Sequence, residues 1–174
     1  MWVPEKSKLV KVRLHNHGED VETAWAEDLG PIDETSPTRR VRLGNVPFLH
    51  AKPTYGDVIE VRPDDGDGML DWDSEGVAVE HIGRRIHHDG GRWAMIIDYS
   101  LSSSSDLNAT FRALDVAGEQ ADIAVEGAFV EKDGRSGRAY LAVPRSQSVA
   151  DVLGWLRSPD VALAFTLVHP RDDE

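Results

Sequence analysis

The order of elements in residues 93–168 constrains this chain more than any other feature: strand, helix, strand, strand, helix, strand. The apolar period changes along the segment, from every second residue to a spacing of three and four, and this separates its strands from its helices. Residues 93–101 are nearly all apolar and β-favouring, so they read as a central strand. Ser104 or Ser105 is placed to cap the following helix, in which Leu107, Phe111 and Leu114 recur at helical spacing, and Gly118 offers a left-handed exit. Ile123, Val125 and Phe129 share one parity of the next strand, Asp133-Gly134 reads as a hairpin turn, and Ala139, Leu141 and Val143 continue the sheet. Pro144 ends that strand because it has no N–H to donate. Ser148 with Asp151 opens a second helix as a capping box, and Val149, Val152, Leu153 and Leu156 form its stripe. Residues 161–168 are the last strand. The right-handed crossover rule then predicts a ferredoxin-like split βαββαβ module, a four-stranded antiparallel sheet with both helices on one face.

Residues before 90 behave differently, with short β-rich runs between turn formers and no helical stripe. Candidate strands cover residues 8–15, 21–27, 39–46, 57–62 and 76–82, which predicts a small β-barrel or sandwich. Residues 83–92 read as a hinge, part of which could extend the last of these strands. The expected fold is therefore α+β, a barrel-like domain over residues 1–85 followed by a ferredoxin-like domain over 91–170, the first covering the open sheet face of the second.

A formal net charge of −12 is spread over both halves and repels phosphate backbones, so nucleic-acid binding is not expected. Arg39, Arg40 and Arg42, the main basic stretch, read as a solvated strand edge. The absence of cysteine excludes a disulfide framework and thiolate chemistry. No run of about 18 apolar residues and no leader-like N-terminus is found, so neither a membrane span nor export is expected and the cytoplasm is the expected compartment.

Three motifs follow one another: Val21-Glu22 with Trp25-Ala26, then Asn45 with Pro47-Phe48, then Gly56-Asp57-Val58. Together with Ala142-Val143-Pro144 before the last helix, they resemble the bacterial family catalogued as domain of unknown function 4265. The resemblance covers most of the chain and implies no established activity. The stretch His81-Ile82-Gly83-Arg84-Arg85-Ile86-His87-His88 departs from it. Read physically, Trp25 buries an apolar face and Asn45 closes a turn onto nearby backbone. The functional alternative has Asn45, Phe48, His50 and Tyr55 lining a ligand or partner groove.

Seven histidines invite a search for chemistry. His15 and His17 read as turn residues in solvent. His81, His87, His88 and Asp89 are weak candidates for zinc or nickel, and no cofactor is expected. The acidic run that contains Asp65 fails as an EF-hand, because Met69 stands at the fifth position, where an oxygen ligand is needed. The same run offers a docking device, Trp72 as an aromatic anchor among Asp71, Asp73 and Glu75, suited to a basic protein. No G-x-S-x-G or H-E-x-x-H spacing is present. The expectation is a non-enzymatic acidic protein that binds a basic protein partner, of the kind that neutralises a toxin. Its alternatives are a small-molecule regulator using the cleft between the halves, and a hydrolase using the His81 to Asp89 cluster.

Overall fold

The structure, a computed structural model, describes residues 9–15, 21–48, 52–63, 81–100, 106–130, 135–159, 161 and 163–169. The fold is α+β, and the chain divides into two compact units, Met1–Gly90 and Gly91–Glu174.

The first unit carries β1 (Leu9–His15), β2 (Val21–Pro31), β3 (Arg39–Leu43), β4 (Val58–Pro63) and β5 (His81–His88). Each strand pairs antiparallel with the next, and β5 returns to pair in parallel with β1 at Val12↔His81 and Arg13↔Ile82. Side chains alternate across a strand, so one parity of each strand reaches the same interior. Val10, Val12 and Leu14 meet Ala24, Ala26, Val41, Leu43, Ile59 and Val61 there in one buried cluster.

The hinge expected over residues 83–92 is largely strand. β5 runs through His88, and the boundary between the units falls between Gly90 and Gly91. Two register shifts against β4, between Val58 and Ile59 and between Glu60 and Val61, give the polar stretch its pairing partners. Polar composition concealed that pairing, because bulges break the simple alternation on which a strand is recognised. At the other end of the unit β3 stops at Leu43 rather than at Val46, since residues 44–48 turn away. The acidic run over residues 64–75 lies outside the described residues, as do residues 76–80.

The second unit is built from β6 (Arg92–Ser100), α1 (Leu107–Gln120), β7 (Ala124–Val130), β8 (Ser136–Pro144), α2 (Val149–Leu156) and β9 (Ala164–His169). Its sheet order is β7-β8-β6-β9, antiparallel throughout. Met95, Ile97 and Tyr99 of β6 and Ala139, Leu141 and Val143 of β8 pack in one cluster with Leu114 of α1 and with Val152 and Leu156 of α2. Strand parity places the six sheet residues on a single face.

Both helix starts obey capping chemistry, one of them at a different residue from that expected. Asp106, not Ser104 or Ser105, caps α1, its side chain accepting the N–H of Asn108 at 3.0 Å. The expected box is present at α2, where Ser148 and Asp151 satisfy each other's backbone N–H. Gly118 does not end α1. The helix continues to Gln120, and the residue with left-handed φ is Asp122, at 59°. Gly118 is required for space instead, because a Cβ there would stand 2.7 Å from both the Ile123 carbonyl oxygen and Val125 Cγ2. The Asp133-Gly134 turn lies outside the described residues. Among the described residues no helix is long and apolar enough to cross a membrane.

Candidate functional site

The three sequence motifs converge on one corner of the first unit. Where β3 ends, Gly44 N donates to the Trp25 carbonyl at 2.9 Å, and Trp25 N donates to Asn45 Oδ1 at 3.0 Å. One side chain thus continues the β2–β3 ladder past the last backbone pair. Gly56 N then reaches the Leu43 carbonyl and Leu43 N the Asp57 carbonyl, both at 3.0 Å. From the opposite end of β2, Glu22, only 8% exposed, accepts the N–H of Phe48 at 2.5 Å.

Asp57 is the centre of this corner and is 0% exposed. Its Oδ2 accepts Thr54 N at 2.8 Å and its Oδ1 accepts Gly90 N at 2.6 Å. Lys52 Nζ stands 3.3 Å from Asp57 and 3.1 Å from Asp89, bridging the two carboxylates. A carboxylate taken out of water needs such partners, because an unpaired buried charge is costly. The close approach of the 89–90 segment depends on glycine: a Cβ on Gly90 would stand 2.6 Å from the Gly56 carbonyl carbon. Gly56 itself has φ of +82°, a conformation side-chain-bearing residues avoid.

This arrangement holds backbone rather than reacting atoms. Both Asp57 oxygens are engaged by N–H groups, and Lys52 faces a carboxylate on two sides. Asn45 and the backbone of Phe48 are drawn to the corner by these bonds, with Tyr55 in the turn beside them. His50, the fourth proposed groove residue, lies outside the described residues.

The residues of the histidine cluster lie along β5 and just after it. His87 Nδ1 approaches Oε1 of Glu60, a residue only 6% exposed, at 3.5 Å. His88 follows it on β5 and is exposed, Asp89 pairs with Lys52, and His81 begins the strand. Among the described residues no group of three or more histidine, aspartate or glutamate side chains is placed to hold a metal ion. Asp71, Trp72, Asp73 and Glu75 lie outside the described residues.

Many arginines are tied to carboxylates. Arg39 grips Asp28 through Nε at 3.0 Å and Nη2 at 2.6 Å, and Arg42 reaches Glu27 at 3.0 Å. Two of the three arginines of the basic stretch are thus paired across β2 and β3. In the second unit Arg92 binds Asp122 at 2.6 Å, and Arg138 grips Asp98 at 2.6 and 2.9 Å. The Arg138 hydrogen bond holds the Asp98 carboxyl below the ordinary carboxylate range. Lys11 lies 4.3 Å over the Trp25 ring, a cation–π contact between neighbours in register.

Sequence reasoning passed over Lys52 and Glu60, and it named Glu22 in a motif without giving it a role. Glu22 and Phe48 are 26 residues apart, and Asp57 and Gly90 33 apart, so no local spacing signals either contact. No family model matches the chain. No curated protein matches it either. A solved structure of a hypothetical protein from Neisseria gonorrhoeae is similar, at 10% identity and a TM-score of 0.45, over 93% of this chain and 94% of that one.

Proposed function

We propose that this protein is a non-enzymatic acidic binding protein that docks a basic protein partner, in the manner of a toxin-neutralising protein. The observation that carries this reading is how the positive charge is spent. Arg39, Arg42, Lys52, Arg92 and Arg138 each face a carboxylate of their own unit, while the chain as a whole keeps a net charge of −12. Anionic surface left uncompensated in this way steers cationic partners and raises their rate of encounter. The Asp57 corner supports the non-enzymatic part, since its charged groups are committed to backbone and to one another.

The reading includes a small β-barrel in the first unit and a ferredoxin-like module in the second. The β1–β5 pairing supports the former, and the sheet order β7-β8-β6-β9 supports the latter. Kinship with the domain of unknown function 4265 family belongs to the same proposal and rests on the three motifs. The anchor of the docking surface is Trp72, a large aromatic flanked in sequence by Asp71, Asp73 and Glu75. A partner that co-purifies and is itself basic provides the test. Alanine at Asp71, Trp72 and Asp73 together should weaken its binding by about a hundredfold or more and flatten the dependence on salt. Unchanged affinity with unchanged salt dependence overturns the docking role.

A further inference from the structure

Arg40 is treated differently from its neighbours on β3. Arg39 beside it and Arg138 in the second unit both present the Nε/Nη2 edge of the guanidinium to a carboxylate, the two-pronged geometry in which arginine binds such groups best. Arg42, two residues on, places Nη1 on Glu27. Arg40 Nε is buried, yet among the described residues it has no acceptor. Its partner in register on β4 is Glu60, whose Oε1 lies near His87 Nδ1 instead. A donor withdrawn from water without an acceptor is a standing cost, and a fold that satisfies the same edge in Arg39 and Arg138 leaves this one for something else to satisfy.

We propose that Arg40 anchors a carboxylate-binding site on the first unit, its Nε/Nη2 edge taking the carboxylate of a small organic acid. The side chain is only half-buried, so its edge can turn toward an entering ligand. A carboxylate fits because its two oxygens match that edge, as Asp28 does on Arg39. The site is independent of the acidic docking surface, since it uses a cation and attracts the opposite charge.

Succinate, with chloride and inorganic phosphate at matched ionic strength, serves as the probe on the full chain. Succinate should raise Tm saturably and shift the Arg40 Nε–H resonance, and Arg40→Lys, which keeps the charge and removes the edge, should weaken succinate by about tenfold or more. Arg42→Lys should leave the response intact. The proposal is overturned if succinate has no effect, if chloride or phosphate equals it, or if Arg40→Lys responds like the unsubstituted protein. Should Arg40→Lys fail to fold, the Nε–H resonance of the unsubstituted protein still decides, because an unmoved signal overturns the site.

Discussion

Asp57 Oδ1 accepts the backbone N–H of Gly90 at 2.6 Å, so the end of β5 is fastened to a carboxylate that solvent does not reach. The other oxygen takes Thr54 N at 2.8 Å, which makes both positions acceptors and leaves no place for an amide NH2. Asp57→Asn should therefore destabilise the first unit nearly as much as Asp57→Ala, each by about 3 kcal/mol or more, because Lys52 also loses its buried counter-charge. Urea denaturation of both variants checks this. An asparagine variant of near-native stability would show that one oxygen suffices.

Gly90 and Gly154 make a matched pair of glycine tests. A Cβ at Gly90 meets the Gly56 backbone at 2.6 and 2.8 Å, whereas a Cβ at Gly154, inside α2, meets nothing within 4 Å. Gly90→Ala should be destabilising, and Gly154→Ala should stabilise by about 0.5–1 kcal/mol through helix propensity. Thermal melts of the two variants should move in opposite directions.

Asn45→Ala leaves the N–H of Trp25 without its acceptor, at a cost of about 1–2 kcal/mol. Asn45→Asp keeps an oxygen in place and should cost less. Hydrogen exchange at the Trp25 amide distinguishes the two, since protection should fall in the alanine variant and persist in the aspartate one.

Acid should weaken the second unit in part through Asp98. Arg138 lowers this carboxyl from its ordinary 3.8, so the stabilisation it gives is complete above that value and is lost as pH falls through the lowered value of the folded state. In denaturation curves run downward from about pH 5, Arg138→Gln should flatten part of the acid-induced loss. Asp151, in the same unit, is lowered in the same direction by the Ser148 side chain, so some of the slope survives. Adding Ser148→Ala should remove the Asp151 share. An Arg138→Gln curve parallel to the unsubstituted one would show that the pair adds nothing.

Much of the second unit was legible because its elements are decided locally. The β6 run is apolar on both faces, Leu107 to Leu114 repeat at helical spacing, and Ser148 with Asp151 announces α2 within four residues. The misreadings are local too. Asp106 supplanted the serines before it, since its carboxylate is a strong acceptor at the positive end of a helix. Gly118 was assigned a turning role where it gives up a side chain for packing. In the first unit the strands showed through alternation, but β5 was read only in part, as the end of a strand expected over residues 76–82, because its bulged pairing with β4 dissolves the period. Trp25, expected to bury an apolar face, is only half-buried with Lys11 over its ring, and the Trp25–Asn45 and Asp57–Gly90 bonds span 20 and 33 residues and leave no trace in spacing. Lys52 was invisible for the same reason: its role exists only once Asp57 and Asp89 lie on either side of it.

The parallel contact of Val12 with His81 and Arg13 with Ile82 sets an order of events in biosynthesis. β1 emerges from the ribosome first, yet its second neighbour is made some 70 residues later, so one edge of β1 stays bare throughout that interval. Loop closure over such a span is slow compared with the β1–β2 hairpin, whose register joins residues 15 and 21 at its near end. Chaperone engagement, or self-association of nascent chains stalled before residue 81, should therefore centre on β1.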